Sequence, residues 1–277
     1  MADNPRLVIP KMTVLRRRTA LPPRPPVLHA WSDSALCHGF LGREGGVSRG
    51  PFASLNLSYW VGDNSRFIDV NWQRTRMLMP RGMRFAQLNQ VHGKTIHIVG
   101  SGHARNPRPA ADGLVTTTAG LALCIFTADC VPVLLADSES GVIGALHAGW
   151  RGTLAGIAAA GIRAMVRQGA RPEAIRAALG PAIGPCCYEV DASLARQFER
   201  RIPCARDHTR AGERSHKAYL DLRGIIAGQL MEAGLERDAI QIVGPCTRCE
   251  SEHYFSRRAA GGSATGLQLS FIARAIT

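Results

Sequence analysis

No run in this sequence approaches the ~18 uncharged apolar residues of a membrane helix, and the N-terminal MADNPRLVIPKMTVLRRR lacks the apolar segment of a secretory signal. The expectation is no membrane partner and a cytoplasmic location. No internal repeat and no interior linker interrupts the 277 residues, so one large domain is expected. None of the nine histidines is followed two positions later by Glu, which removes half of the HxE…PCxxC signature of zinc nucleobase deaminases. Only the other half is present, as Pro245-Cys246-Thr-Arg-Cys249. A second CxxC is also missing, so Cys246 and Cys249 complete no zinc knuckle and read as structural thiols or a loop feature.

What is present is an apolar and basic chain. A hydrophobic content of 45% is enough for a sizeable core, and 34 Lys and Arg against 21 Asp and Glu leave a net charge of +13. The arginines are spread along the chain, with Arg16-Arg17-Arg18 the one tight cluster and no aromatic-interleaved basic motif. No specific nucleic-acid partner is therefore expected, and the charge suits a substrate that carries or uses phosphate. Eight cysteines without a secretory signal argue for free thiols.

Residues 1–26 end in LPPRPP and read as a flexible, Pro-rich arm ahead of a domain over 27–277. The segments FAQLNQVHG, TIHIVG, ADGLVTTT, LALCIFTADC, VPVLLAD and GVIGALHAGW suit strands or strand ends. The Ala-rich RGTLAGIAAAGIRAMVRQGA has helical periodicity, opened by Gly152-Thr153, and further helices are expected at 65–79, 191–201 and 221–234. Strands are expected near 175–180, 239–243 and 267–274. Consecutive strands with covering helices predict an α+β fold, a single-domain layered α/β/β/α sandwich with mixed sheets.

Three of the apolar segments end on metal-type residues: His92 in QVHG, Cys130 in TADC and His147 in ALHAGWRG. Strand ends in one sheet can meet at a common edge, and a His-Cys-His set would leave zinc's fourth position open. The alternative is three satisfied structural residues. In GPAIGPCCYEV, adjacent side chains on an extended segment point to opposite faces, so at most one of Cys186 and Cys187 faces a site, assigned here to Cys187 on the substrate side.

The combination of NQVHG, ADG, FTADCVPVLLAD, ALHAGWRG, GPAIGPCCYEV and the terminal FSRR…TG…LSFI resembles the successive motifs of the YfiH-like family, over about residues 30–275. That family was long labelled polyphenol oxidase or laccase-domain protein, and its members are described as purine nucleoside phosphorylases with adenosine deaminase activity. The resemblance implies zinc held by His92, Cys130 and His147. It implies phosphorolysis of adenosine, inosine or methylthioadenosine to free base and ribose 1-phosphate, and deamination by water that zinc has acidified toward pKa ~7. Two positions depart from the family pattern: Trp60 stands where His is usual in SLNLSYWVGD, and Leu267 where TG is usually followed by Arg.

With that reading, Gly149 and Gly152 would let the chain turn into a helix, whose start favours an anion held by Arg151. Phosphate on Arg151 would attack ribose C1′. Asp129 is a candidate general acid or base, its alternative being the cap of a turn. Asn56 would orient substrate, or else serve as a turn amide. Copper also suits a His2Cys set, which keeps a copper-dependent polyphenol oxidase open, although the chain has none of the His-x-His pairs of a multicopper laccase. A Cys130 hydrolase with His147 as base is the other alternative.

Overall fold

The computed structural model describes residues 24–102 and 108–276; positions 1–23 of the expected N-terminal arm lie outside the described residues. In chain order the first strands are β1 (Val27–Leu28), β2 (Leu36–Leu41), β3 (Arg84–Ala86), β4 (Ile96–Ile98), β5 (Gly113–Thr116), β6 (Leu121–Thr127), β7 (Val131–Asp137) and β8 (Val142–Ala148). They are followed by β9 (Arg176–Leu179), β10 (Glu189–Asp191), β11 (Thr209–Ala211), β12 (Lys217–Leu220), β13 (Ile240–Ile242) and β14 (Gln268–Arg274). The helices are α1 (Ser65–Arg76), α2 (Trp150–Ala155), α3 (Ile157–Val166), α4 (Ala192–Arg201) and α5 (Leu222–Glu232).

Two large mixed sheets face each other. One has the order β1-β2-β14-β6-β3, the other β13-β9-β7-β8-β5-β4. Pairs β3/β6, β4/β5 and β9/β13 are parallel, the other pairs antiparallel. Because successive side chains on a strand point to opposite faces, the continuous apolar run of β7 serves two cores. Leu134 and Ala136 meet Leu123, Ile125 and Ile272 between the sheets, while Val133 and Leu135 pack with Ile162 and Met165 of α3 and Ile225 and Leu230 of α5. On the far side Ile68 and Trp72 of α1 cover Leu41, Phe126 and Phe271. The α/β/β/α layering expected from the sequence is the layering the chain adopts.

Three local expectations differ from the structure. The helix expected to open at Gly152-Thr153 begins at Trp150 and is cut in two by Gly156, whose φ of 84° lies in the left-handed region that favours glycine. FAQLNQVHG is extended only as far as Ala86, and His92 lies in the following loop. A third small sheet, β10-β12-β11, has no counterpart among the expected elements, its strands being only three or four residues long.

Candidate metal centre

The three residues singled out at segment ends do not come from one sheet. Cys130 sits in the turn by which the chain leaves β6 of the first sheet and enters β7 of the second. Strand register then does the gathering. Val131 pairs with Ala148 and Pro132 with His147, so the entry of β7 lies beside the exit of β8. Gly113 pairs with Leu146, which sets Asp112 next to His147. His92 reaches the same spot from its loop, and one donor atom from each of His92, Cys130 and His147 lies within 4.8 Å of the others. The two imidazoles stand edge to face, their centroids 4.7 Å apart.

Asp112 organises this cluster. It is fully buried, and its Oδ1 lies 2.8 Å from Nδ1 of His147, itself 3% exposed. Its carboxylate also accepts the backbone N–H groups of His92 at 2.9 Å and Gly93 at 2.6 Å. These bonds hold His92 at a φ of 60°, which a non-glycine residue seldom adopts. With Nδ1 bonded to the carboxylate, Nε2 of His147 is the nitrogen left for a ligand, the carboxylate–histidine arrangement common behind metal ions.

Electrostatics favour an anionic sulfur here. Burial opposes the Cys130 thiolate, but His147 and His92 beside it outweigh that and bring the thiol down to about 6. Burial likewise opposes charge on His147, yet the Cys130 sulfur and Asp112 raise it to about 9. Desolvation pushes against the Asp112 carboxylate, and its bonds to His147 and the Gly93 and His92 N–H groups hold it below the usual carboxylate range.

The cluster opens into a cavity of about 760 Å³, within the ~300–1,000 Å³ of small-molecule sites. Leu88, Phe126 and Leu267 supply apolar wall, Gln90 and Ser58 polar groups, and Arg108 and Arg257 positive charge. Both departures from the family pattern line it: Leu267 directly, and Trp60 at the rim, 58% exposed with the Arg108 guanidinium 3.4 Å from its ring centroid.

The remaining predicted site residues lie off the cavity wall. Asn56 is fully buried, its amide donating to Ser58 O and Asp63 Oδ2 and accepting from the N–H groups of Ser58 and Leu267. Asp129 accepts from Thr247 Oγ1 at 2.6 Å and from the Arg258 N–H at 2.7 Å, so both carboxylate oxygens brace loops. Arg151 is exposed, with its guanidinium 4.3 Å from the Trp150 ring centroid. Gly149 has an ordinary extended backbone, and it is closeness that requires glycine: a Cβ would lie 3.0 Å from Cys130 Sγ and 3.1 Å from His92 Cδ2. At Gly152 a Cβ would lie 2.7 Å from Gly93 O. Cys187 turns away to a separate group of cysteines. Sequence reasoning passed over Asp112 and Arg257, although the ADG and FSRR motifs contained them.

Residues 37–275 match the model of a family described as multi-copper polyphenol oxidoreductase laccase. A protein of Deinococcus radiodurans named purine nucleoside phosphorylase is 42% identical over 246 residues, covering 85% of this chain and 88% of that one. The crystal structure of YlmD from Geobacillus stearothermophilus superposes with a TM-score of 0.81 at 35% identity, over 88% of this chain and 93% of that one. The hypothetical protein YfiH of Bacillus licheniformis gives a TM-score of 0.81 at 33% identity, over 86% and 92% of the two chains.

Proposed function

The chain belongs to the family described as multi-copper polyphenol oxidoreductase laccase, and on that premise we propose that it is a zinc-dependent purine nucleoside phosphorylase that also deaminates adenosine. The single observation that carries this reading is one N,S,N donor set, His92, Cys130 and His147, opening on a nucleoside-sized cavity with arginines on its wall. The relatives named purine nucleoside phosphorylase support the substrate class.

The donor set fits zinc by its chemistry: two imidazoles and a thiol whose proton is easily lost, one imidazole backed by a carboxylate, and a side open to the cavity. When bound there, zinc supplies Lewis acidity that makes water a usable nucleophile near neutral pH. Among the described residues, no other group of metal-type side chains contains histidine, which disfavours a multicopper oxidase.

The protein's own residues do the rest. Asp112 keeps the Nδ1 proton of His147 in place and so fixes which nitrogen faces the cavity. Gln90 donates to Phe126 O at 2.7 Å and accepts the Phe126 N–H at 2.8 Å, tying the His92 loop to the end of β6. Phe126, Leu88 and Leu267 form an apolar wall for the purine face. Arg257 and Arg108 stand where a phosphate would be drawn in. In phosphorolysis a phosphate oxygen bonds to ribose C1′, the C1′–N9 pair leaves with the base, and ribose 1-phosphate remains. In deamination, water adds at adenine C6 and ammonia leaves. The place of Arg108 and Arg257 on the cavity wall supports giving the phosphate to them in preference to Arg151.

A Cys130 nucleophile with His147 as its base is favoured by the lowered Cys130 thiol alone. Zinc at this site would exclude it, because a ligating thiolate is not free to attack. The test is metal analysis of the purified protein together with product detection from adenosine with and without phosphate. Phosphate-dependent adenine release, lost with the metal in Cys130→Ala, is expected. Turnover that persists in metal-free protein would overturn the assignment.

A further inference from the structure

Four of the eight cysteines gather away from the cavity. One sulfur each from Cys186, Cys187, Cys246 and Cys249 lies within 4.8 Å of the others. Cys249 Sγ is 3.6 Å from Cys186 Sγ and 3.4 Å from Cys187 Sγ. We propose that these four thiolates hold a structural zinc ion, separate from the His92–Cys130–His147 centre, which clasps together the loops after β9 and β13.

The sequence looked incapable of this, because only one CxxC is present and Cys186 and Cys187 are adjacent. Adjacent side chains diverge only on an extended strand, and this segment is a turn. The N–H groups of Cys187 and Tyr188 both donate to Gly184 O, at 3.0 and 2.9 Å, and the Glu189 N–H folds back to Cys187 O at 3.0 Å. Both sulfurs consequently reach the same group. Cys246-Thr-Arg-Cys249 is a second turn, closed by the Glu250 N–H on Cys246 O at 3.0 Å. Parallel strands β9 and β13 deliver the two turns side by side, and the Thr247 N–H on Ala182 O at 3.0 Å joins them.

The spacing and the donors suit zinc. A tetrahedron with Zn–S bonds of ~2.3 Å has sulfur–sulfur edges of about 3.8 Å. The observed separations approach that value, and Cys249 is a close neighbour of two sulfurs at once, which singles out no disulfide pair. The Gly184 N–H donates to Cys246 Sγ at 3.2 Å, and the Arg248 and Cys249 N–H groups also turn toward this sulfur. Backbone donors around a cysteine are outer-shell support for a metal-bound thiolate. An all-thiolate set of four leaves no open position, which marks a structural rather than a catalytic site.

Its work is legible in what the loops touch. Asp129, the residue before Cys130, accepts from three points on the clasped segments. The Ile183 N–H reaches Asp129 O at 2.9 Å, Thr247 Oγ1 reaches Oδ1, and the Arg258 N–H reaches Oδ2. Joining the loops would therefore hold the turn that carries Cys130.

The test counts metal in the purified full-length wild type, Cys130→Ala, the double variant Cys246→Ser with Cys249→Ser, and the triple variant. Expected is the loss of about one zinc per chain in the double variant and of both ions in the triple. Zinc retained in Cys130→Ala at the wild-type count would indict the proposed catalytic centre alone. Zinc undiminished in the double variant would overturn the clasp. Should the double variant not fold, cobalt(II) loaded into Cys130→Ala reads the same site. Intense sulfur-to-cobalt charge-transfer absorption and tetrahedral d–d bands support the clasp, and their absence overturns it. Iron or copper in place of zinc, or four thiols missing until a reductant restores them, would also overturn it.

Discussion

Asp112 and His147 hold each other twice. The His147 backbone N–H donates to Asp112 O at 2.7 Å, and the Asp112 carboxylate meets the His147 imidazole at 2.8 Å. The first bond belongs to the meeting of β5 and β8, so sheet formation delivers the carboxylate to the ring. The same carboxylate accepts the His92 N–H. One buried acid thus sets the position of two of the three donors.

Asp112→Asn is of similar shape and is expected to leave the fold intact, although its single amide oxygen can replace either Oδ1, which faces the His92 N–H and the His147 ring, or Oδ2, which faces the Gly93 N–H, but not both. The negative charge behind His147 is lost, and zinc affinity should fall about 10- to 100-fold, the usual range for such outer-shell partners. Competition with a chromophoric chelator measures it. Affinity within twofold of wild type would remove the orienting role.

Gly149→Ala separates packing from backbone effects. With φ −77° and ψ 172° the backbone accepts alanine, so any loss must come from the added Cβ, which would crowd Cys130 Sγ and His92 Cδ2. We expect a weakening of zinc binding of about tenfold or more with little change in melting temperature. An unchanged zinc affinity would show that the neighbours yield freely.

In metal-free protein Cys130 should alkylate as a thiolate with a midpoint near pH 6, against ~8.5 for an ordinary thiol. The sign follows from the lowered value: the thiolate persists as pH falls until about 6, and reactivity is lost below it. Asp112→Asn weakens the charge on His147 that supports the sulfur, so its midpoint should move up. Peptide-resolved iodoacetamide labelling across pH checks both. A midpoint near 8.5 in the wild type would contradict the thiolate–imidazolium pairing.

The proposed phosphate role distinguishes two arginines. Arg257 lines the cavity, whereas Arg151, itself exposed, lies over the Trp150 ring in the first turn of α2. A charge-assisted contact is worth ~1.5–3 kcal/mol, so Arg257→Ala should raise KM for phosphate by about 10- to 100-fold, with only partial rescue by lysine. Arg151→Ala should leave it within about twofold. The reverse ranking in steady-state kinetics at varied phosphate would return the role to Arg151.

Much of this protein is legible in one dimension because its strands and helices declare themselves locally. VPVLLA is continuously apolar because β7 is buried on both faces, and Ile68 and Trp72 stand one helical turn apart because one side of α1 faces a core. His92, Cys130 and His147 are legible for the same reason, each standing at the end of a largely apolar segment. What tertiary structure alone decided is which breaks meet, and with what. The turn through Cys130 changes sheets, a consequence of β6 pairing with β14 and β7 with β8. Asp112 became a partner of His147 through antiparallel register across more than thirty residues of chain. Cys186 and Cys187 met Cys246 and Cys249, some sixty residues on, only because β9 and β13 lie parallel and side by side. Hydrophobic periodicity reports the environment of each residue, whereas the identity of its neighbours depends on strand order and register, which no local pattern contains.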